Sequence, residues 1–258
     1  MHPMLNIAIR AARKAGNYIA RALANSDDMR SSQSTESADK RSRSIVTDVI
    51  RKSYPNHILI TSGEEKLIGG KETEVQWIIN PLCGMTNFIR GLPHVAISIA
   101  VSVRGKTEFA CVYDPVLNDL FTARRGSGAQ MNSSRIRIKS VKSLSSAVIA
   151  TRASRQKPHS KFYLNIFSSL LGESAEFRQT GSVALDLCYV AAGRLDGFFG
   201  LTLDPCDMAA GDLIAREAGA IVADFAGGSN SLKSGNIVAS GSRLIKPIIK
   251  HIYGGGGK

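Results

Sequence analysis

The sequence is short of acid. Against 33 Lys and Arg it sets only 21 Asp and Glu, a formal charge of +12 over 258 residues. That imbalance argues against an acidic, self-repelling surface and favours contact with polyanions such as RNA, DNA or phosphorylated ligands. A solvated basic surface left behind by lost acids explains the same number. Cysteine is also sparse: Cys83, Cys111, Cys188 and Cys206 are far apart and form no CxxC pair. A disulfide framework or a zinc ribbon is therefore not expected, and buried thiols are. Long apolar runs are missing too. The run Val95–Val103 is broken by Ser98 and Ser102 and is too short to span a bilayer. The first residues carry Arg and Lys throughout a helical pattern and lack the clean apolar block of a secretory signal, so a cytoplasmic location and no membrane contact are expected.

What is present is ordinary for a globular chain, with 43% hydrophobic and 21% charged residues. Leu5, Ala8, Ala12, Ala15, Ile19 and Leu23 recur at three- and four-residue spacing, which predicts an amphipathic helix over 4–24. The polar, Ser-rich stretch Ser26–Ser44 is expected to be a loop, or a frayed helix start at its far end. A second helix then carries Ile45, Val46, Val49 and Ile50 and stops at Pro55. Strand-like runs follow at His57–Thr61, Val75–Ile79, Val95–Val103, Glu108–Tyr113 and Asp119–Ala123, and Ile136–Ile138 closes this part.

Beyond it, strands at Ala147–Ala150, Gly197–Phe199, Ile221–Asp224 and Ile237–Ala239 alternate with helices. Those helices are expected at Lys161–Leu171, Ser182–Ala192 and Ala209–Ala218, and the closing GGGGK reads as a flexible tail. Strands first and alternation later predict an N-terminal α+β lobe over 1–140 and a C-terminal α/β lobe over 141–258. No internal repeat is evident.

Four stretches carry a resemblance to a known family: GEE at Gly63–Glu65, NPLCGMTNF at Asn80–Phe88, GSVALDLCYVAAGRLDGFF at Gly181–Phe199, and DPCDMAAGDLIAREAGA at Asp204–Ala220. Together they resemble the inositol monophosphatases. The opening residues and RKSYPNH are similar to the bacterial extragenic-suppressor branch, known both as phosphatases and as Nus factors in ribosomal RNA transcription antitermination. The resemblance runs from Met1 to about Ile249 and implies a layered α-β-α-β-α sandwich, a homodimer, and Mg²⁺-dependent hydrolysis of a phosphate monoester. Transcription partners are implied as well: RNA polymerase, Nus-type factors or RNA.

Such hydrolysis needs an activated water and a neutralised phosphoryl group, and bound Mg²⁺ supplies both. Mg²⁺ demands hard oxygen ligands in octahedral geometry. The family takes them from a GEE glutamate, from both aspartates and the intervening carbonyl of DPxDGT, and from a later WD aspartate. Here Glu64, the Leu82 carbonyl and Asp207 occupy retained metal positions. Asn80 and Cys83 stand where the two DPxDGT aspartates belong, and Met85 replaces the water-orienting threonine. Gly84 and Ala184 match positions near the substrate, and Gly200 stands in place of a glutamate that holds substrate hydroxyls. Asp39 remains beside a loop that lacks the family's DxVT pattern.

Asparagine brings no charge, and the sulfur of a cysteine is a soft ligand that Mg²⁺ disfavours. Removing even outer support of a metal site costs about 10–100-fold, so the loss of two carboxylates in direct contact should cost more.

Plainer readings stand beside these. Glu64 as a loop carboxylate, Asp207 as the cap of a helix beginning near Met208, Gly181–Ser182 as a loop-to-helix junction, and His94 as a structural residue all fit the sequence. A Cys83–His94–Asp207 metal site lacks compact spacing. The basic segments Arg41–Ser44, Arg135–Lys139 and Thr151–Lys157 are not interleaved with aromatics, so stacking of single-stranded bases is not indicated. Three outcomes stay open: a degenerate binding protein, a working or weakly working inositol-1-monophosphatase, and a decaying product that folds poorly.

Overall fold

A computed structural model describes residues 2–24, 32–62, 74–139, 141–152, 157–173 and 176–254. Helix α1 (Pro3–Ala24) buries Leu5, Ala8, Ala11, Ala12, Ala15 and Ile19 on one face, the stripe its periodicity predicts. Helix α2 runs over Ser32–Ser53, so much of the segment expected as a loop is helical; residues 26–31 lie outside the described residues. The reason is tertiary. The first turns of α2 are polar, yet they bury Thr35, Ala38, Asp39 and Ser42, and the Ser42 hydroxyl donates to the carbonyl of Pro81 at 2.6 Å. Small polar side chains, of which Ser42 is satisfied from across the fold, replace the apolar stripe that pattern-reading looks for.

The first sheet follows in chain order: β1 (Ile58–Thr61), β2 (Val75–Cys83), then after the short helix α3 (Met85–Ile89) β3 (Ala96–Val103), β4 (Lys106–Asp114), β5 (Asp119–Arg124), β6 (Gly128–Met131) and β7 (Ser134–Ile136). Only β1 and β2 pair in parallel, and the rest form an antiparallel meander. Strand β3 is buried almost end to end, which fits its near-continuous apolar run.

The remaining elements are β8 (Val148–Arg152), α4 (Lys157–Leu171), β9 (Glu176–Arg178), α5 (Val183–Ala191), β10 (Gly197–Gly200), α6 (Pro205–Glu217), β11 (Ile221–Ala223), α7 (Ser231–Ser234), β12 (Ile237–Ser240) and α8 (Ile245–Gly254). Their strands form a second sheet in the order β11-β12-β10-β8-β9. Helices α1 and α2 cover one face of the first sheet; α5 and α6 pack on its other face and also contact the second sheet; α4 and α8 lie beyond. The result is the expected α-β-α-β-α sandwich. Helix α8 has no counterpart among the expected elements, although Ile245, Ile248 and Ile252 bury at helical spacing. Gly254, expected in the tail, ends α8, and residues 255–258 lie outside the described residues. No helix among the described residues is long and apolar enough to cross a membrane.

Candidate functional site

The site is set by a break in β2. Pro81 has no N–H to give the sheet, and the register between β2 and β3 shifts between Asn80 and Cys83. The strand end thereby turns toward the α2–α6 side and into Gly84, whose φ of 91° starts α3. A Cβ there would sit 2.8 Å from the carbonyl of His94, so only glycine fits. Nearby, the Asn87 amide donates to the carbonyls of His94 and Thr180, both at 2.8 Å. This ties the β2–α3 corner to the loop before α5.

These elements enclose a cleft of about 550 Å³. Asn80, Leu82, Cys83, Gly84 and Met85 line it from β2 and α3; Asp39 and Arg43 line it from α2; Asp204 and Asp207 come from the start of α6. The structure therefore gathers most of the residues singled out in the sequence. Ala184 and Gly200 are not in the lining. Ala184 is fully buried in α5, and a Cβ on Gly200 would meet Leu203 Cδ1 at 2.7 Å. Glu64 lies outside the described residues. The cap of α6 is also corrected: Asp204, not Asp207, accepts from the Cys206 N–H at 2.7 Å, with Pro205 next. Asp207 follows in the first turn.

The chemistry of the cleft turns on one contact. The Asn80 amide nitrogen donates to Asp207 Oδ1 at 2.5 Å, while its oxygen accepts from the Leu82 N–H at 3.0 Å. Asn80 is thus occupied on both sides. Burial pushes the Asp207 carboxyl up; the Asn80 bond opposes that shift, neighbouring Asp204 adds to it, and Arg152 opposes it. Burial, followed by the field of Asp207, drives the Cys83 thiol well above its ordinary range, so at neutral pH it is a protonated, 2% exposed thiol. Asp39 is paired with Arg43 at 2.6 Å, and Arg43 also donates to the carbonyl of Ser62 at 3.0 Å. Met85 is 46% exposed at the mouth.

These donors do not fit a magnesium ion. The amide nitrogen of Asn80 points at the carboxylate that would be a ligand, its oxygen is already engaged, and Cys83 offers a protonated sulfur. Among the described residues no group of three or more His, Cys, Asp or Glu is placed to hold a metal. His94 packs edge-on against Tyr189 with ring centroids 5.7 Å apart. Sequence reasoning missed Asn87, Arg43, Arg152 and Asp204. Of these, Asp204 was visible in the motif Asp-Pro, which marks a helix start.

The sequence model of the inositol monophosphatase family matches residues 1–254. The chain belongs to the inositol monophosphatase family. Within it, this chain is 57% identical over 258 residues to the Nus factor SuhB of Vibrio cholerae serotype O1, covering 98% of this chain and 96% of that protein. It is 50% identical over 260 residues to the Nus factor SuhB of Escherichia coli strain K12, with the same coverage. Among solved structures of the family fold, it is similar to the extragenic suppressor protein suhB from Bartonella henselae. That match has 34% identity and a TM-score of 0.89, covering 98% of this chain and 100% of that one. It is also similar to the inositol monophosphatase from Anabaena, at 28% identity and a TM-score of 0.88, covering 97% and 95%.

Proposed function

We propose that this inositol-monophosphatase-fold protein has lost efficient phosphatase chemistry and acts by binding, as a homodimeric partner of the transcription machinery in ribosomal RNA antitermination. The observation that carries the first half is the Asn80–Asp207 hydrogen bond. A neutral amide there supplies Asp207 with the partner that a cation supplies in a working site, so the cleft is satisfied without metal. The second half is supported by relatives named Nus factor SuhB at 50–57% identity over nearly the whole chain. RNA polymerase, Nus-type factors and RNA are the partners this reading names.

The family activity, Mg²⁺-dependent hydrolysis of inositol 1-phosphate, is the alternative. In its favour, Asp39, Asp204 and Asp207 still share one cleft, and Glu64 remains in the sequence. Release of inorganic phosphate from inositol 1-phosphate across a Mg²⁺ titration separates the two. The native chain should stay at background while the variant Asn80→Asp/Cys83→Asp/Met85→Thr turns over. Comparable turnover by the native chain would make it a phosphatase. Failure to capture RNA polymerase, Nus-type proteins or RNA at low salt would sink the binding role.

A further inference from the structure

We propose that the groove between α1 and α2 holds the phosphate backbone of single-stranded RNA. The groove has a volume of about 540 Å³ and is lined by five cations, Arg10, Lys14, Arg21, Arg41 and Lys52, against one acid, Asp48. All five are exposed. None forms an ion pair with another described residue. The helices run antiparallel here: Arg10 reaches Ser53 Oγ at 3.3 Å near the end of α2, while Arg21 and Arg41 line the other end.

Spacing turns these charges into two rows. Arg10, Lys14 and Arg21 lie four and seven residues apart on α1, and Arg41 and Lys52 lie eleven apart on α2. At 1.5 Å per residue each row spans about 16 Å. Like charges gathered this way repel one another, and a polyanion relieves the repulsion while releasing its own counterions. The two rows flank one groove, so together they can track a single phosphate backbone laid along it. Tyr18 is half-buried in its lining beside Ile45 and offers one ring face for a base. The Arg-rich walls favour phosphate, which guanidinium binds in paired hydrogen bonds.

The groove is separate from the cleft described above. Helix α2 turns Asp39, Lys40 and Arg43 to the cleft and Arg41, Ile45, Asp48 and Lys52 to the groove. The charge arrangement stands without the transcription reading; only the choice of RNA as the strand rests on it.

Fluorescence anisotropy with the full chain tests this, using a labelled mixed-sequence RNA of about 20 nucleotides between about 50 and 200 mM salt. Lys14→Gln/Arg21→Gln/Arg41→Gln should weaken binding about tenfold or more at the lower salt. It should also flatten the log–log salt slope by about 2, near 0.7 for each phosphate no longer neutralised. The control Arg135→Gln/Arg137→Gln/Lys139→Gln removes the same charge from three exposed positions elsewhere and should stay within about twofold. Equal melting temperatures establish that both variants fold. Three results overturn the proposal: equal losses in both variants, unchanged binding in the groove variant, or displacement by poly-glutamate below the concentration at which unlabelled RNA competes. The last would point to an acidic protein. Groove-dependent RNA binding in a chain that captures no transcription protein would keep this inference and confine the failure to the partner reading.

Discussion

The α5–α6 helix pair and the end of β2 lie within one fold, and they treat change differently. Between the helices, Gly211 of α6 sits against Leu187 of α5 so closely that a Cβ would lie 2.6 Å from the leucine Cβ. Cys188, Leu187, Ala209 and Ala210 around it are all buried. Nothing there can change size without moving a helix. At the end of β2, Asn80 and Cys83 are as buried as many core residues, yet each is a change from the resembled family pattern that leaves no unmet need. Asn80 makes two hydrogen bonds, and Cys83 behaves as a small apolar side chain. Packing constrains volume, whereas a metal site constrains charge. Charge can be given up when a neutral group satisfies what remains.

The largest effect that probes this contrast is expected from Gly211→Val. It forces the helices apart and should cost about 3 kcal/mol, seen as a fall in melting temperature on the order of 10 °C. A neutral result would mean the helix pair is as tolerant as the cleft. The next belongs to Asp186, buried in α5 and accepting from the Thr180 hydroxyl at 2.7 Å. Burial raises its carboxyl to about 7, above the unfolded value near 3.9. The folded state therefore binds more protons than the unfolded state between about pH 4 and pH 7, so stability falls as pH rises through that window. Asp186→Asn removes the titration. It should leave melting at pH 4 nearly unchanged and stabilise the protein at pH 8 by on the order of 3 kcal/mol. Parallel pH profiles for the two proteins would show that the carboxyl ionises freely in the fold.

The same contrast explains what can be read from sequence. The first helix, most strands of the first sheet and the α5–α6 pair are legible because apolar spacing records burial directly. The start of α2 is not, because the residues it buries there, Thr35, Asp39 and Ser42, are polar, and Ser42 finds its partner at distant Pro81. Helix α8 carries a legible apolar spacing at Ile245, Ile248 and Ile252, but no element is expected between Ala239 and the closing GGGGK. At the site, the residue identities at 80, 83, 85 and 207 are legible, and the structure gathers them in one cleft. What they do to one another is hidden. Asn80 meets Asp207 across 127 positions of sequence, and Asn87 enters through contacts no local pattern encodes, whereas Arg43 pairs with Asp39 at the i,i+4 spacing of a helix.

The finest test acts on that single contact. Asn80→Asp replaces a donor with a second carboxylate facing Asp207, whose own carboxyl is already raised by burial. With chelator present, the variant loses one hydrogen bond and gains a like-charge pair, which should cost about 2 kcal/mol. If the cleft keeps the family's metal geometry, Mg²⁺ should restore the variant's melting temperature in a concentration-dependent way, because a ligand bound only by the folded state stabilises it. The native protein should not respond, since its amide already fills that role. A native protein that melts higher in Mg²⁺ would show that Asn80 gives up its bond to Asp207 for the ion. A variant as stable as the native chain in chelator would show that Asp207 is held by its surroundings rather than by Asn80.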